Sequence, residues 1–467
     1  MMNSQPRSKF SLWMLAWPIF IELFLQFLLG AADTLMVSRI SDDAVAVVGF
    51  SNQLFMALTT LFVTVSSGAG ILIAQRIGSR KHEDARTIAI IAVKVTALIG
   101  LVLSLILYFM PTQIAAVLQL PDKLLPLAKV YISIVGGSMI LTAIMATLST
   151  SIRSTGNTKG PMYIAIAMNV VHVILNYGFI FGELGLPQWG LAGVAISTVI
   201  SRLLATIVLL FMFLNAFERK INLADFRIFD NKLLKEVLRI GWPLAVGLSA
   251  WVFSQLVIFS YIAMLGASEL AARTYMNTLE SFCFMLGQSI AMALQIQIAH
   301  MYGAGEFRKA YKSVFRALWI AELIVLMNAF VIYLFGGKVL GIFTKEPEII
   351  AMGVSLLGMN LVLQPGKMLN MAFGNSLNAV GDTRFIMIVS LTVTTTVGGL
   401  MPYVVGIHWG WGLLGIYGCM IADEYIRGVL VWLRWKQQKM IRRAEQGTAG
   451  QRGSLPAAGG NTSVAKA

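Results

Sequence analysis

Long apolar runs alternate with short charged segments along nearly the whole chain, and each run is long enough to cross a membrane as a helix. Apolar runs bounded by charged residues or by Gly and Pro clusters predict twelve spans. They cover residues 12–38, 45–75, 88–110, 127–151, 161–182, 191–214, 240–264, 269–299, 313–336, 348–377, 385–407 and 412–433. A helix satisfies its own backbone hydrogen bonds in lipid, whereas an isolated strand does not. The pattern therefore predicts an all-α membrane protein with twelve transmembrane helices.

The composition excludes several classes of protein. Of the 467 residues 57% are apolar and 12% are charged, against about 25% charged in an ordinary soluble domain, which excludes a soluble enzyme. The formal net charge is +14, but Lys and Arg fall in short blocks between apolar runs, so we expect no nucleic-acid partner. The two cysteines, Cys283 and Cys419, lie in apolar runs and offer neither a disulfide framework nor a Cys-rich metal site. Accessible loops carry no catalytic or metal-ligand motif, so we expect no enzyme and no cofactor.

The basic residues predict the orientation in the membrane. The segments before span 1 and after spans 2, 4 and 8 are rich in Lys and Arg, and the loops on the opposite side hold little beyond Arg39, Lys123, Arg273, Lys338 and Lys345. Positive loops stay in the cytoplasm, so an even number of spans places both termini there. We therefore expect residues 1–214 and 240–437 to form two lobes in the cytoplasmic membrane. The charged segment 215–239 is predicted to be a cytoplasmic linker and residues 438–467 a disordered cytoplasmic tail.

An internal repeat relates the two halves of the chain. The matching segments are Trp17-Pro18 with Trp242-Pro243, 73–78 with 298–303, 151–159 with 376–384, and 189–191 with 411–413. The first three pairs are 225 positions apart and the last pair 222. An even number of spans separates equivalent residues, so we expect two pseudo-symmetric six-helix lobes related by an axis along the membrane normal. Pro18 and Pro243 relax the hydrogen-bond ladder of spans 1 and 7, which makes them the predicted conformational residues.

Polar residues inside span 1 form a stripe on one helical face, at Glu22, Gln26 and Asp33. A charge in hydrocarbon is costly without a partner or a function, so the stripe is predicted to face the lobe interior or an aqueous cavity. Asp33 is either a functional carboxylate or a partner of Arg39 near the end of the span. Its equivalent in the second half is Ile258, so only one lobe has this carboxylate.

Polar side chains in other spans have either a role in a binding site or a structural role between helices. Asn169, His172 and Asn176 share one face of span 5 and could complete a cation shell with Asp33, or form interhelical hydrogen bonds. With Glu22 and Gln26, the candidates for a substrate cleft are Glu280, Gln288, Gln364 and Lys367. A pair between the Glu280 carboxylate and the Lys367 ammonium would leave no net buried charge.

Four segments together resemble the multidrug and toxic compound extrusion (MATE) transporters. They are residues 32–37 (ADTLMV), 75–78 (QRIG), 156–159 (GNTK) and 176–182 (NYGFIFG). The similarity covers residues 10–437, with the twelve spans, the repeat and the central linker. It implies a V-shaped pair of six-helix lobes that alternates between inward- and outward-open states. It also implies exchange of protons or sodium ions for amphipathic, often cationic organic compounds.

The resemblance also suggests residue roles. Asp33 matches the family's central cation residue and Pro18 its bent span 1 proline; the rest of the cation site would be Tyr131, His172, Asn176 and Thr198. Many relatives have Asp where this chain has Asn176 and Asn where it has His172. Some sodium-coupled members have acidic residues where this chain has Trp251 and Lys367. Either H⁺ or Na⁺ would neutralise Asp33, so the coupling ion stays open at this point.

Two alternative functions belong to the same architecture. One is a flippase for a lipid-linked glycan, which twelve spans and few intramembrane Arg residues disfavour. The other is an exporter of an endogenous metabolite. In each case the expected partners are small organic substrates and the lipid bilayer, and the protein is expected to be a monomer.

Overall fold

The computed structural model describes residues 11–437, which form helices and no β-strand. The helices are α1 (Leu12–Val37), α2 (Asp42–Gly78), α3 (His82–Phe109), α4 (Pro111–Val117), α5 (Leu125–Tyr131), α6 (Met139–Ser154), α7 (Lys159–Phe181), α8 (Gly190–Leu214), α9 (Asn231–Leu265), α10 (Ala267–Gly303), α11 (Phe307–Leu334), α12 (Gly336–Phe343), α13 (Pro347–Ala379), α14 (Thr383–Val393) and α15 (Gly412–Lys436). Three π-helical segments, Ile132–Gly136, Thr394–Leu400 and Tyr403–His408, extend α5 and α14. The predicted tail, residues 438–467, lies outside the described residues.

The helices account for the predicted spans. Ten helical segments in the described part of the chain are long and apolar enough to cross a membrane, and the bent pair Asp122–Gly136 and Met139–Ser154 makes an eleventh. The remaining predicted span is α15, whose 25 residues are also long enough to cross. We refer to α1–α8 as the first half and to α9–α15 as the second half.

The connection between the halves is shorter than residues 215–239, because α9 begins at Asn231. The Asp230 carboxylate caps this helix by accepting hydrogen bonds from the backbone N–H groups of Lys232 (2.7 Å) and Leu233 (3.3 Å). Such a cap satisfies donors that a helix start leaves unpaired, so the helix extends beyond its apolar part.

The connection is also fastened to the first half. The Asp225 carboxylate accepts hydrogen bonds from the backbone N–H of Asn222 (2.8 Å) and from the guanidinium of Arg86 on α3 (2.6 Å). The hydrogen bond from the Asn222 backbone has the largest effect, and together with the Arg86 interaction it holds the pKa of Asp225 below its ordinary value. Asp225 is therefore a charged anchor for the segment.

The two halves meet where α1 and α2 pack against α10 and α9. A Cβ atom on Gly241 of α9 would overlap the carbonyl oxygen of Thr64 on α2. A Cβ atom on Gly68 of α2 would come within 2.5 Å of the carbonyl oxygen of Val237 on α9. Glycine at both positions lets the two helix backbones approach closely, as small residues do between membrane helices.

Two ion-paired clusters lie inside the second half. In the first, Arg273 on α10 pairs with Glu280 two turns later (Nη1 to Oε1, 3.2 Å), and the Glu280 Oε2 atom is 3.6 Å from Lys367 Nζ on α13. The hydroxyl of Tyr417 joins both Arg273 and Glu280. The predicted assignment of Arg273 to a loop is wrong, because this residue lies inside α10 and is 2% exposed. Its charge is compatible with a span because it pairs with the buried Glu280 carboxylate.

In the second cluster, Arg427 on α15 bonds to Asp423 and to Glu424, whose Oε1 atom is 2.9 Å from Arg427 Nη2. All three residues are buried. Glu424 also accepts a hydrogen bond from Asn370 on α13 (2.9 Å). The cluster therefore ties α15 to α13.

We expect Arg427→Met to lower the free energy of unfolding by about 3–5 kcal/mol, because it leaves two buried carboxylates without their cation. The measurement is unfolding of purified protein in detergent, followed by tryptophan fluorescence. Arg434→Met on the same helix is the matched control, since Arg434 pairs with Asp382 at a 43% exposed position. An exposed pair contributes about 0–1 kcal/mol. Equal losses in both variants would contradict the assigned role of Arg427.

Candidate ion and substrate site

Asp33, near the end of α1, is held by two side chains of α7. The Nε2 atom of His172 lies 2.8 Å from Oδ1 of Asp33, and the Asn176 side-chain amide donates to the same oxygen at 2.9 Å. His172 and Asn176 are four residues apart on one helical face, and both are buried. The Asp33 side chain is 22% exposed. The structure thus pairs Asp33 with α7 rather than with Arg39, and leaves the carboxylate accessible. We call these three residues the Asp33 cluster.

Three further residues, one on α5 and two on α8, are relevant to the Asp33 cluster. Tyr131 on α5 is buried and interacts electrostatically with Asp33. Arg202 on α8 interacts electrostatically with both Asp33 and Tyr131, and donates a hydrogen bond to Thr142 on α6 (3.1 Å). Thr198, one turn before Arg202, is buried and donates its hydroxyl proton to the carbonyl of Val194 (3.0 Å).

Arg202 is a member of this site that the sequence analysis did not single out. Its place inside a predicted span is a signal in the sequence, because an Arg in an apolar span is rare and requires a partner. Its guanidinium lies close enough to interact electrostatically with the carboxylate of Asp33.

A cavity of about 400 Å³ lies between α1, α2, α6, α7 and α8, with one wall from α10. Glu22 and Gln26 of α1 line it. The Glu22 carboxylate is buried and lies 3.0 Å from the guanidinium of Arg153 on α6. Glu22 is eleven residues before Asp33, or about 16 Å along the helix. One helix therefore carries both the Asp33 cluster and part of the cavity wall, and Pro18 lies within that helix one turn before Glu22.

The candidates of the second half lie elsewhere. Glu280 and Lys367 approach each other, but Arg273 pairs with the same carboxylate, so the cluster holds two cations and one carboxylate rather than a neutral pair. Gln364 is buried and donates to Asn360 (2.7 Å), and Gln288 is half-buried on α10. None of these four candidates is among the described residues that line the cavity, whose second-half wall is Met292, Gln295, Ile296 and Ala299. Pro243 is buried inside α9.

Two hydrogen bonds that are related by the internal repeat join the halves near the C-terminal ends of α2 and α10. The Gln75 amide on α2 donates to the carbonyl of Ala379 at the end of α13 (2.6 Å). The Nε2 atom of His300 on α10 lies 2.8 Å from the carbonyl of Ser154 at the end of α6. The two donors are 225 positions apart, and so are the two acceptors. The two bonds are therefore related by the internal repeat.

The same helix ends also approach through glycine. A Cβ atom on Gly78 would overlap the carbonyl oxygen of His300, and one on Gly303 would overlap that of Gln75. These are again equivalent positions of the repeat. We call the two hydrogen bonds and the two glycine approaches the closing contacts, because they seal the halves against each other at this end.

Comparisons with known proteins agree with this architecture. The family model described as MatE matches residues 18–178 and again residues 243–404. The two matches begin at Pro18 and Pro243, the positions related by the repeat. The "Uncharacterized transporter YisQ" of Bacillus subtilis is 34% identical over 440 residues, which cover 94% of this chain and 97% of that protein. The "Probable multidrug resistance protein NorM" of Thermotoga maritima is 27% identical over 445 residues, or 94% of each chain.

Solved structures share the fold at low sequence identity. A structure titled "Crystal structure of MATE in the bent conformation" has a TM-score of 0.86 at 19% identity, over 94% of this chain and 96% of the other. One titled "Outward-facing conformation of a multidrug resistance MATE family transporter of the MOP superfamily" has a TM-score of 0.84 at 19% identity, over 91% and 95%. The predicted fold of twelve helices in two lobes is therefore confirmed. The chain belongs to the multidrug and toxic compound extrusion (MATE) family, whose members are multi-pass membrane transporters and not enzymes.

Proposed function

We propose that the chain is a cation-coupled antiporter, which exchanges H⁺ or Na⁺ for amphipathic organic compounds by alternating access. The supporting observation is that α1 carries two sites. Asp33, partly exposed and held by α7, lies toward one end of this helix, and Glu22 and Gln26 line the cavity toward the other. A change at Asp33 can therefore reach the cavity through a single helix.

In this proposal Asp33 receives the coupling ion, with Tyr131, His172, Asn176 and Thr198 around it. Neutralising the carboxylate weakens its charge-assisted hydrogen bonds to α7. Helix α1 can then shift relative to α7 and bend at Pro18, which lacks a backbone donor for the helical ladder. Glu22 and Gln26 move with it, so the cavity has different substrate affinities in the two conformations.

We further propose that the closing contacts face the cytoplasm, with both termini on that side. Basic residues cluster beside them, at Arg76 and Arg80 in and after the segment 73–78 and at Arg308 and Lys309 after the segment 298–303. The described conformation is then closed toward the cytoplasm. One chain supplies both sides of the closing contacts, which supports a monomer as the working unit.

The test is transport into and out of vesicles that contain the purified protein, with a pH gradient and a sodium gradient imposed separately. The probes are tetramethylrhodamine and its methyl ester, two fluorescent amphipaths that differ by one ester group. Movement of either dye driven by either gradient supports the antiporter and names the ion. If folded protein moves neither dye under either gradient, the proposal is wrong. The functions to test next are then flipping of a lipid-linked glycan and export of an endogenous metabolite.

A further inference from the structure

The cavity has the size and surface of a site for a small organic molecule. Its volume of about 400 Å³ lies within the range of drug-sized pockets. Methionine side chains at Met145, Met168 and Met292 provide flexible apolar surface on three different helices. Such surfaces accept ligands of different shape, so charge and hydrogen bonding are the features that can select among ligands.

The charges of the cavity cancel. Glu22 and Arg153 are the charged residues among the described residues that line it, and their side chains are 10% and 14% exposed. Their Oε2 and Nη1 atoms are 3.0 Å apart. A carboxylate already paired at this distance has little attraction left for an organic cation, because the guanidinium repels the same cation.

The described residues that line the cavity also lack the other common means of binding organic cations, an aromatic face. Cations are recognised in proteins through the faces of Trp, Tyr and Phe or through unpaired carboxylates. The described part of the wall offers neither an aromatic face nor an unpaired carboxylate.

What the wall does offer is neutral hydrogen bonding. Asn169 on α7 is 8% exposed, and both its amide nitrogen and its amide oxygen lack a hydrogen-bond partner in the protein. An unpaired buried polar group costs about 1–3 kcal/mol, so a ligand that pairs with it regains that energy. Gln26, Ser149 and Thr150 add further donors and acceptors to the wall.

We infer that the substrates of this cavity carry no net charge, being either uncharged or zwitterionic, and that permanent organic cations are poor substrates. A zwitterion can place its ammonium toward Glu22 and its carboxylate toward Arg153 without leaving either protein charge unpaired. This inference rests on the proposed function and narrows its substrate class.

The test compares tetramethylrhodamine, a zwitterion, with its methyl ester, a permanent cation of nearly the same size, in the vesicles described above. The wild-type protein is expected to transport the zwitterion about tenfold faster, which corresponds to about 1.4 kcal/mol of discrimination. Dye-dependent thermal stabilisation in detergent gives a second readout that does not depend on the gradient. It should favour the zwitterion in the same direction.

Variants of the Glu22–Arg153 ion pair test the charge preference more directly than the wild-type protein does. Arg153→Gln exposes the Glu22 carboxylate and is expected to reverse the preference toward the cationic ester. The double variant Glu22→Gln with Arg153→Gln keeps the cavity neutral, so the zwitterion is no longer bound by charge and the cation gains no partner. It should not favour the ester. Arg434→Gln, which breaks an exposed ion pair outside the cavity, is the matched control and should keep the wild-type ratio.

The outcomes separate the inference from the proposed function. Wild-type transport of the ester at the same rate as the zwitterion, or faster, overturns the inference and leaves the antiporter intact. An unchanged ratio in Arg153→Gln also overturns it, because the ion pair would then not set the charge preference. Absence of transport of both dyes by folded protein overturns the antiporter and the inference together.

Discussion

Replacing Asp33 by Asn is expected to reduce gradient-driven efflux to the level of vesicles without protein. The amide has nearly the size of the carboxylate, but it can neither take up a proton nor neutralise a sodium ion. His172 and Asn176 would still find an oxygen acceptor at this position, so the fold should persist. The measurement is initial dye transport under each gradient, normalised to the amount of folded protein.

The matched control for this variant is Asp43→Asn. Asp43 also lies in the first half, but its carboxylate is 49% exposed and pairs with Lys123 on the surface (3.0 Å). This control should transport as the wild type does. Thermal stabilisation by dye should survive in Asp33→Asn, because Asp33 does not line the cavity. Full efflux by Asp33→Asn would show that the coupling ion binds elsewhere.

Adding a methyl group at both Gly78 and Gly303 is expected to prevent the halves from closing and to abolish transport. Each new Cβ atom would overlap a backbone carbonyl of the other half, at His300 and Gln75. A backbone atom cannot move aside by changing rotamer, and overpacking of this kind costs about 1–3 kcal/mol at each site. Spin labels at Lys81 and Lys309 would report the change as a shift of their distance distribution toward longer values.

Gly49→Ala is the control for this pair of substitutions. Gly49 lies on α2, the same helix as Gly78, and a Cβ atom there meets nothing within 4 Å. This variant should keep both the label distances and the transport rate. If the variant with Ala at 78 and 303 kept the short distance and full activity, the closing contacts would not be required in the transport cycle.

The spans and the repeat could be predicted from sequence because each depends on a local pattern. Long apolar runs identify helices in lipid, and the fixed offset of 225 relates Pro18 to Pro243. The four-residue spacing of His172 and Asn176 placed them on one face of α7. Their contact with Asp33 remained one of two interpretations until the packing of α1 on α7 was known.

The residues that escaped prediction are those whose environment depends on packing between distant helices. Counting Arg273 among the loop charges is wrong although the predicted span 269–299 contains it, because a charge near the end of an apolar run is compatible with either place until its partner is known. Its partner Glu280 follows two turns later on the same helix, but the third member, Tyr417, comes from α15. Arg202 acts electrostatically on Asp33 through the packing of helices that are distant in sequence, and no sequence spacing predicts that interaction.

The two hydrogen bonds of the closing contacts, unlike the two glycines, tolerate divergence between the copies of the repeat. In both copies the acceptor is a backbone carbonyl, supplied by Ala379 in one and by Ser154 in the other. Every residue type has that oxygen, so mutation of the acceptor side chain does not remove the bond. The donors have already changed, from Gln75 in one copy to His300 in the other, and each still reaches its carbonyl. After duplication of an ancestral half, substitutions at the acceptor positions would therefore leave both hydrogen bonds in place.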